Sequence, residues 1–455
     1  MGVEDRGDAA RRRDAAVLQA VRQGVVGAGR PVVGLLDVRG VREAARGLRE
    51  AFARAGPGGA RALHAFAVKA APLVPVLRLL AGEGLGCEVA SPGELALARA
   101  AGVAPGRIVL DSPAKTTAEL REALALGIAV NADSREELAR LDALVAAVPA
   151  PPDLPLGLRV NPQVGGGSIG AFSTATETSK FGVALRDPGA RDWLVRAYAE
   201  RPWLTAVHAH VGSQGCPLEL MAEGVRRVHE LAREIDAAAG GRRVRTLDIG
   251  GGLPVNFASD EVTPTHDAYA RVLAAAVPGL FDGAYGLVTE FGRSLLAKSG
   301  MILARVEYAK SAGGRRIAVT HAGAQVAVRT VFTPHAWPLR VAAYDARGRP
   351  KTSPAVAQDV AGPCCFAGDL VAVDRLLPRL DAGDHVALLD TGAYYFSNHF
   401  AYNTLPRPGV YGYAVDEQDV EGQAVRFATV RPPQSLAELV AESGAAHAAD
   451  LSALR

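Results

Sequence analysis

The stretch Ala62-Leu63-His64-Ala65-Phe66-Ala67-Val68-Lys69-Ala70 reads as a buried strand, apolar along most of its length, and it ends in a lysine with no neighbouring acid to pair with. An ammonium at the mouth of an apolar strand is costly to bury, and burial pushes it toward the neutral amine. The neutral amine is the form that Schiff-base chemistry uses. A lysine that merely snorkels out of a strand end is the plain alternative. The surrounding sequence has to choose between the two.

From residue 61 onward, short apolar runs alternate with helical patterns. Strands are expected at 62–69, 86–90, 107–111, 128–131, 156–161, 206–212, 246–250 and 286–290, with helical segments such as 72–81, 91–101, 117–126, 135–148, 187–199, 217–239 and 265–276 between them. Strand alternating with helix means a parallel sheet with right-handed crossovers, and eight repeats over roughly 230 residues is the size of a (β/α)8 TIM barrel. Chemistry in such barrels gathers at the C-terminal ends of the strands. Here those ends are Lys69, Glu88 to Ser91, Asp111 and Ser112, Asn131, Arg159 to Asn161, His210 to Ser213, Gly250 to Gly252, and Glu290. Apolar strands that nearly all finish in polar or glycine residues describe a site.

Beyond residue 295 the texture changes to apolar and β-branched runs separated by Gly, Pro and Asp turns, at 301–309, 315–323, 327–333, 339–346, 385–396, 409–415 and 424–430. That pattern predicts an all-β domain, a sandwich or barrel. Residues 1 to about 30 read as a helix, 31–37 as a strand that can join the β domain, and 41–55 as an amphipathic helix closed by Gly56-Pro57-Gly58-Gly59. The expected division is an N-terminal segment at 1–40, the barrel at 41–298, the β domain at 299–434 and a terminal helix and tail at 435–455.

The 455 residues carry a formal net charge of +2 with 49% hydrophobic and 22% charged residues, which offers no field for nucleic acid or a membrane surface. No apolar run reaches the ~18 residues of a spanning helix, and no signal-type stretch follows the charged start, so the expected location is the cytoplasm. The four cysteines, Cys87, Cys216, Cys364 and Cys365, form no metal-ligand spacing and no disulfide framework. They are expected as free thiols, with no metal.

Three further stretches carry chemistry. Asp248-Ile249-Gly250-Gly251-Gly252 sets three glycines after the seventh strand, where exposed N–H groups can cradle a phosphate. Glu290-Phe291-Gly292-Arg293 adds a carboxylate and an arginine after the eighth, or else a mere local ion pair. His208-Ala209-His210-Val211-Gly212-Ser213 places two histidines on one side of a strand, the first read as a core histidine and the second, at the mouth, as functional. A lysine, a phosphate cradle, a flat stacking ring and a carboxylate together describe a pocket for pyridoxal phosphate, with Glu290 toward the pyridine nitrogen.

The motifs FAVKA (66–70), EVASPGEL (88–95), SKFGV (179–183), HAHVGS (208–213), DIGGG (248–252), EFGRSL (290–295), GPCCFAGD (362–369) and DTGAY (390–394) follow one another in an order that resembles the fold-type III pyridoxal-phosphate decarboxylases of the diaminopimelate, ornithine and arginine superfamily, closest to the diaminopimelate branch. The resemblance implies an alanine-racemase-like barrel followed by a β domain, and an α-decarboxylase. It implies that Lys69 carries the cofactor, that His210 stacks on its ring and that Glu290 meets its pyridine nitrogen. Ser213, Gly250, Gly251, Gly252, Gly292, Arg293 and Tyr394 would surround the phosphate, with Glu88 near the lysine. Cys365 would return a proton to the substrate from the partner subunit, which implies a homodimer with shared active sites; Cys364 beside it is read as structural.

Three departures stand out. Phe291 replaces a usual proline, which would relax its loop, and Glu88 replaces a usual aspartate. Phe366 stands where the diaminopimelate enzymes carry a glutamate that reads the distal amino group. Cation–π attraction recovers only ~0.5–2 kcal/mol of what a carboxylate would supply. Arg340 and Tyr344 lie in roughly the region of the groups that hold the distal carboxylate, and with Phe366 and Arg293 they form the expected substrate set. These features predict an amino-acid substrate related to meso-diaminopimelate but with a modified or uncharged distal end. The alternatives are housekeeping diaminopimelate decarboxylation yielding L-lysine, an amino-acid racemase, and a non-catalytic cofactor carrier.

Overall fold

The computed structural model describes residues 3–56, 62–147, 154–416 and 424–454. From Pro57 on, the turn expected at 56–59 lies outside the described residues, as does Val148. The chain divides into two units, one of Val41–Asn256 with Val262–Leu296 and one of Met1–Gly40 with Phe257–Glu261 and Ala297–Arg455.

In the first unit the strands Ala62–Ala67, Gly86–Val89, Ile108–Asp111, Ala129–Ala132, Leu156–Asn161, Leu204–His208, Thr246–Asp248 and Gly286–Thr289 pair in parallel and close on themselves through Ala62–Ala67 beside Gly286–Thr289 and Ala129–Ala132 beside Leu156–Asn161. This is the expected (β/α)8 barrel. A two-residue strand, Val183–Ala184, adds to the edge of Leu156–Asn161. The helices start where the sequence offers caps: Ser91, Thr116, Ser134 and Thr265 each accept a backbone N–H three residues on.

Two strands end earlier than their apolar runs. After Ala67 the chain turns in a 3-10 helix, Val68–Ala70, closed by the Ala71 N–H on the Val68 carbonyl, so Lys69 sits on a turn. The strand expected at 206–212 runs Leu204–His208, which leaves His210 and Ser213 in the loop that follows.

In the second unit the helix Val3–Arg22 lays Ala16, Val17 and Ala20 into a core with Val33, Leu35, Met301, Leu303 and Ala387. The early strand Val32–Asp37 lies antiparallel to Gly300–Ala312 and parallel to Val410–Val415. The long strand Gly300–Ala312 pairs with His385–Leu389 through Arg305 and with Arg315–Thr320 from Val306 onward. Two strands that the sequence reading passed over, Ala355–Ala361 and Leu370–Pro378, pair with each other, and the first continues the sheet beside Arg315–Thr320. The run at 327–333, expected as a strand, is the end of a helix, Ala324–Phe332. Its first N–H is taken by the carboxylate of Asp369, 2.6 Å from Ala324 N, a tertiary cap that overrides the β-branched composition. No helix among the described residues is long and apolar enough to cross a membrane.

Candidate active site

Parallel pairing brings together the residues at the strand ends. Ala67 is in register with Glu88 on the neighbouring strand, and the Nζ of Lys69 donates to both carboxylate oxygens of Glu88, at 3.0 and 2.8 Å. The lysine side chain is 42% exposed and its partner is fully buried. The expectation of a buried amine without a carboxylate is corrected on both counts, because the pairing crosses strands and no inspection of sequence neighbours displays it. Burial pushes the Glu88 carboxyl up, against the pull of the Lys69 ammonium.

Asp111, Asn131, Arg159, His208 and Asp248 are five buried polar groups, each at the end of a different strand. Arg159 donates to Asp111 Oδ2 at 3.2 Å and stacks its guanidinium 4.3 Å from the ring centre of Phe181, in the SKFGV motif. Burial works against the charge on Asp111, yet His208, Arg159, Lys115 and Lys69 outweigh it and hold its carboxyl below the usual range. The amide of Asn131 lies 3.0 Å from His208 Nδ1 and donates to Asp248 Oδ2 at 3.1 Å.

Glu290 is 2% exposed, and neither of its oxygens takes a hydrogen bond among the described residues. Burial and the negative charges of Asp248, Glu88 and Asp111 push its carboxyl well above the usual range, with Lys69 opposing. A buried acceptor left open in this way is expensive, and it marks a place made for a donor that a ligand brings.

His210 Nδ1 accepts the N–H of Gly251 at 3.3 Å, which assigns the ring proton to Nε2. Burial, then the charges of Arg159 and Lys69, push its pKa well below the usual value, so the ring is neutral. Gly250 and Gly252 adopt φ of +65° and +94°, and a Cβ on Gly251 would stand 2.0 Å from the Glu290 carbonyl oxygen. Only glycine lets the turn pass between His210 and Glu290. Gly292 and Arg293 are buried, Arg293 opens the short helix Arg293–Leu296, and Ser213 is half-buried. Phe291 does not relax this loop: it is 1% exposed, with ring centres of Phe52, His266 and Tyr269 within 6.2 Å, so it anchors the segment between Glu290 and Arg293.

The remaining candidates belong to the other unit. Cys365 is exposed and its N–H donates to Asn403 Oδ1 at 2.7 Å, whereas Cys364 is buried with its N–H on Asp369 Oδ2 at 2.6 Å. Phe366 stacks on Phe332, 5.5 Å between centres and 11° apart in plane, and meets Tyr402 edge-on. Tyr394, at φ +67°, carries the guanidinium of Arg329 4.9 Å above its ring. Two of the expected substrate residues already have partners within their own unit. Arg340 spends three donors on Asp390 and Asp260, and Tyr344 is 1% exposed in the core with its hydroxyl on Asp14 at 2.7 Å. The Tyr344 hydroxyl is shut in the core, whereas Arg340 keeps N–H donors beyond those three. Arg329, which the sequence analysis does not single out, lies on the helix Ala324–Phe332 in place of the expected strand.

The family described as pyridoxal-dependent decarboxylase, pyridoxal binding domain, matches residues 39–297. The chain belongs to the pyridoxal-dependent decarboxylases. The decarboxylase is 31% identical over 404 residues to a diaminopimelate decarboxylase of Zymomonas mobilis, covering 88% of this chain and 89% of that one. It is 35% identical over 347 residues to that of Pseudomonas aeruginosa, covering 76% and 80%. The crystal structure of the Helicobacter pylori diaminopimelate decarboxylase complexed with L-lysine superposes with a TM-score of 0.77 at 26% identity, over 91% of this chain and 97% of that one. The barrel mouth fits pyridoxal phosphate: an amine on a turn, an open buried carboxylate, a neutral flat ring and a glycine turn that a Cβ would close.

Proposed function

We propose that this decarboxylase removes the α-carboxylate of meso-diaminopimelate and yields L-lysine, in the cytoplasm. What carries the reading is the likeness to diaminopimelate decarboxylases along most of the chain, joined to an open acceptor, Glu290, at the strand ends beside Lys69. Pyridoxal phosphate, when bound, supplies the electron sink for the pair left behind as carbon dioxide departs.

The chain's own residues would do the rest. Lys69 holds the cofactor covalently through Nζ, and Glu88 keeps that nitrogen oriented while it is an ammonium. His210 offers its neutral face to the ring, its orientation held by Gly251. Glu290 takes the hydrogen bond of the pyridine nitrogen, and a carboxylate there keeps that nitrogen protonated. Ser213, Gly250 to Gly252, Gly292, Arg293 and Tyr394 are assigned to the phosphate, Arg293 by its charge and the glycines by close approach. Cys365 returns a proton to the α-carbon, and it is proposed to come from the partner subunit of a homodimer. The exposure of its thiol on its own unit supports that assignment.

A second reading rests on Phe366. Its neighbours Phe332, Phe400 and Tyr402 make an aromatic cluster beside Cys365, in which rings stand where the resemblance expects an acid. That cluster favours a diamino acid with a modified, uncharged distal end. Carbon dioxide release by the purified holoenzyme decides between the two. Turnover of meso-diaminopimelate well above that of N-acylated or N-carboxylated diamino acids upholds the first, and the reverse order replaces it with the second.

A further inference from the structure

The side chains around Glu290 leave a charge unaccounted for. Glu88, Asp111, Asp133, Asp248 and Glu290 are buried together at the strand ends, and the lysines and arginines whose charges reach them, Lys69, Lys115 and Arg159, are fewer than the acids. His208 sits in the middle of this group with its side chain wholly buried, and no step of the proposed reaction uses it. Its Nε2 lies 3.3 Å from Asp111 Oδ2, and its Nδ1 lies 3.2 Å from Asp248 Oδ2 and 3.7 Å from Glu290 Oε1. An imidazole protonated at Nε2 alone would take the Asn131 amide at Nδ1, 3.0 Å away, and leave Asp248 Oδ2, 3.2 Å from the same nitrogen, without a donor from the ring. A ring protonated at both nitrogens has a carboxylate within 3.3 Å of each, although Nε2 makes no aligned hydrogen bond as it stands.

We propose that His208 is a positioning residue for the cofactor: a buried imidazolium bridging Asp111 and Asp248, whose charge 3.7 Å from Glu290 keeps that carboxylate ionised for the pyridine nitrogen. The proposal rests on the assignment of Glu290 to that nitrogen. Between a carboxyl and a pyridine that share one proton, a fixed cation next to the carboxyl favours the ion pair over the neutral hydrogen bond. The groups that face the ring are Asp111 with Arg159 behind it, Asn131, Asp248, Glu290 and His210. Of these, Asn131 is the competitor, because an amide N–H given to Nδ1 would leave the ring neutral. The upward push of burial on Glu290 is what the imidazolium has to overcome.

The test reads protons directly. Nitrogen NMR of the holoenzyme, carrying isotope-labelled histidine, should show both ring nitrogens of His208 protonated at neutral pH. A single N–H, with Nδ1 bare, overturns the proposal without any variant having to fold. With isotope-labelled pyridoxal phosphate, the pyridine nitrogen should be protonated in the native enzyme and lose that proton in His208→Gln, with affinity for the cofactor reduced at least tenfold. A His208→Gln enzyme that keeps the protonated pyridine nitrogen and native affinity also overturns it. A native enzyme whose pyridine nitrogen is bare would defeat the assignment of Glu290 itself, a failure distinct from the first two.

Discussion

Cys365 and His64 show how differently a single side chain can be used. The thiol of Cys365 is exposed, and the segment that carries it is held by backbone N–H bonds to Asn403 and, one residue earlier, to Asp369. A residue that returns a proton should matter to turnover and not to cofactor binding. Cys365→Ala is therefore expected to slow carbon dioxide release by ~10²–10⁴-fold with unchanged affinity for pyridoxal phosphate; equal rates would return Cys365 to a structural role. His64 is 5% exposed with Nδ1 2.8 Å from Thr289 Oγ1, and burial, then the charge of Arg49, push its pKa down to about 4. The unfolded chain takes up this proton first, near pH 6.5, so the contribution to stability is complete above that pH and is lost as the pH falls toward about 4. At ~1.4 kcal/mol per pH unit the loss is roughly 3 kcal/mol. The raised carboxyls of Glu88 and Glu290 act in the opposite sense, losing stability as the pH rises. The clean quantity is thus the difference in urea unfolding free energy between native and His64→Gln protein, which should shrink by that amount between pH 7 and 4. A difference that does not change with pH would remove His64 from the account.

At the scale of elements, the segment from Glu290 to Arg293 works because Phe291 is packed and Gly251 is small. Phe291→Ala would open a cavity among Phe52, His266 and Tyr269 and is expected to cost ~3–5 kcal/mol while loosening the two charged residues that flank it. Chemical denaturation with a parallel cofactor titration checks both effects, and native stability would show that the loop is held elsewhere. Gly251→Ala would drive a Cβ into the Glu290 carbonyl, so cofactor affinity should fall at least ~10-fold, by analogy with other core overpacking of 1–3 kcal/mol. The eight barrel strands were legible because apolar runs between helical patterns carry their own signal. Their ends were not, since Lys69 and His210 leave the strand through tertiary hydrogen bonds such as Ala67 N–H to the Phe291 carbonyl and Ala209 N–H to the Asp248 carbonyl. The helix Ala324–Phe332 was misread because its cap comes from Asp369, far along the chain, and Arg329 went unnoticed with it. The placing of His208 between Asp111 and Asp248 was equally hidden, for Asp111 ends a strand that pairs with neither of the other two and meets His208 only when the barrel closes.

For the whole molecule the open question is which chains complete an active site. Lys69 belongs to the barrel unit and Cys365 to the β unit, and the proposed homodimer gives each site a lysine from one protomer and a cysteine from the other. The arithmetic of mixing tests this without reference to the substrate's distal end. Lys69→Ala and Cys365→Ala proteins should each be nearly inactive alone. In a hybrid of the two, one site receives both substitutions and the other receives neither. Random exchange makes half of the dimers hybrids, and each carries one intact site, so a mixture equilibrated through dissociation should recover about a quarter of native activity. If lysine and cysteine instead serve the same protomer's site, every site keeps one substitution however the subunits are shuffled, and the mixture stays as inactive as its parts. Activity measured against mixing ratio separates the two, because recovery through hybrids peaks at equal amounts and vanishes at either end.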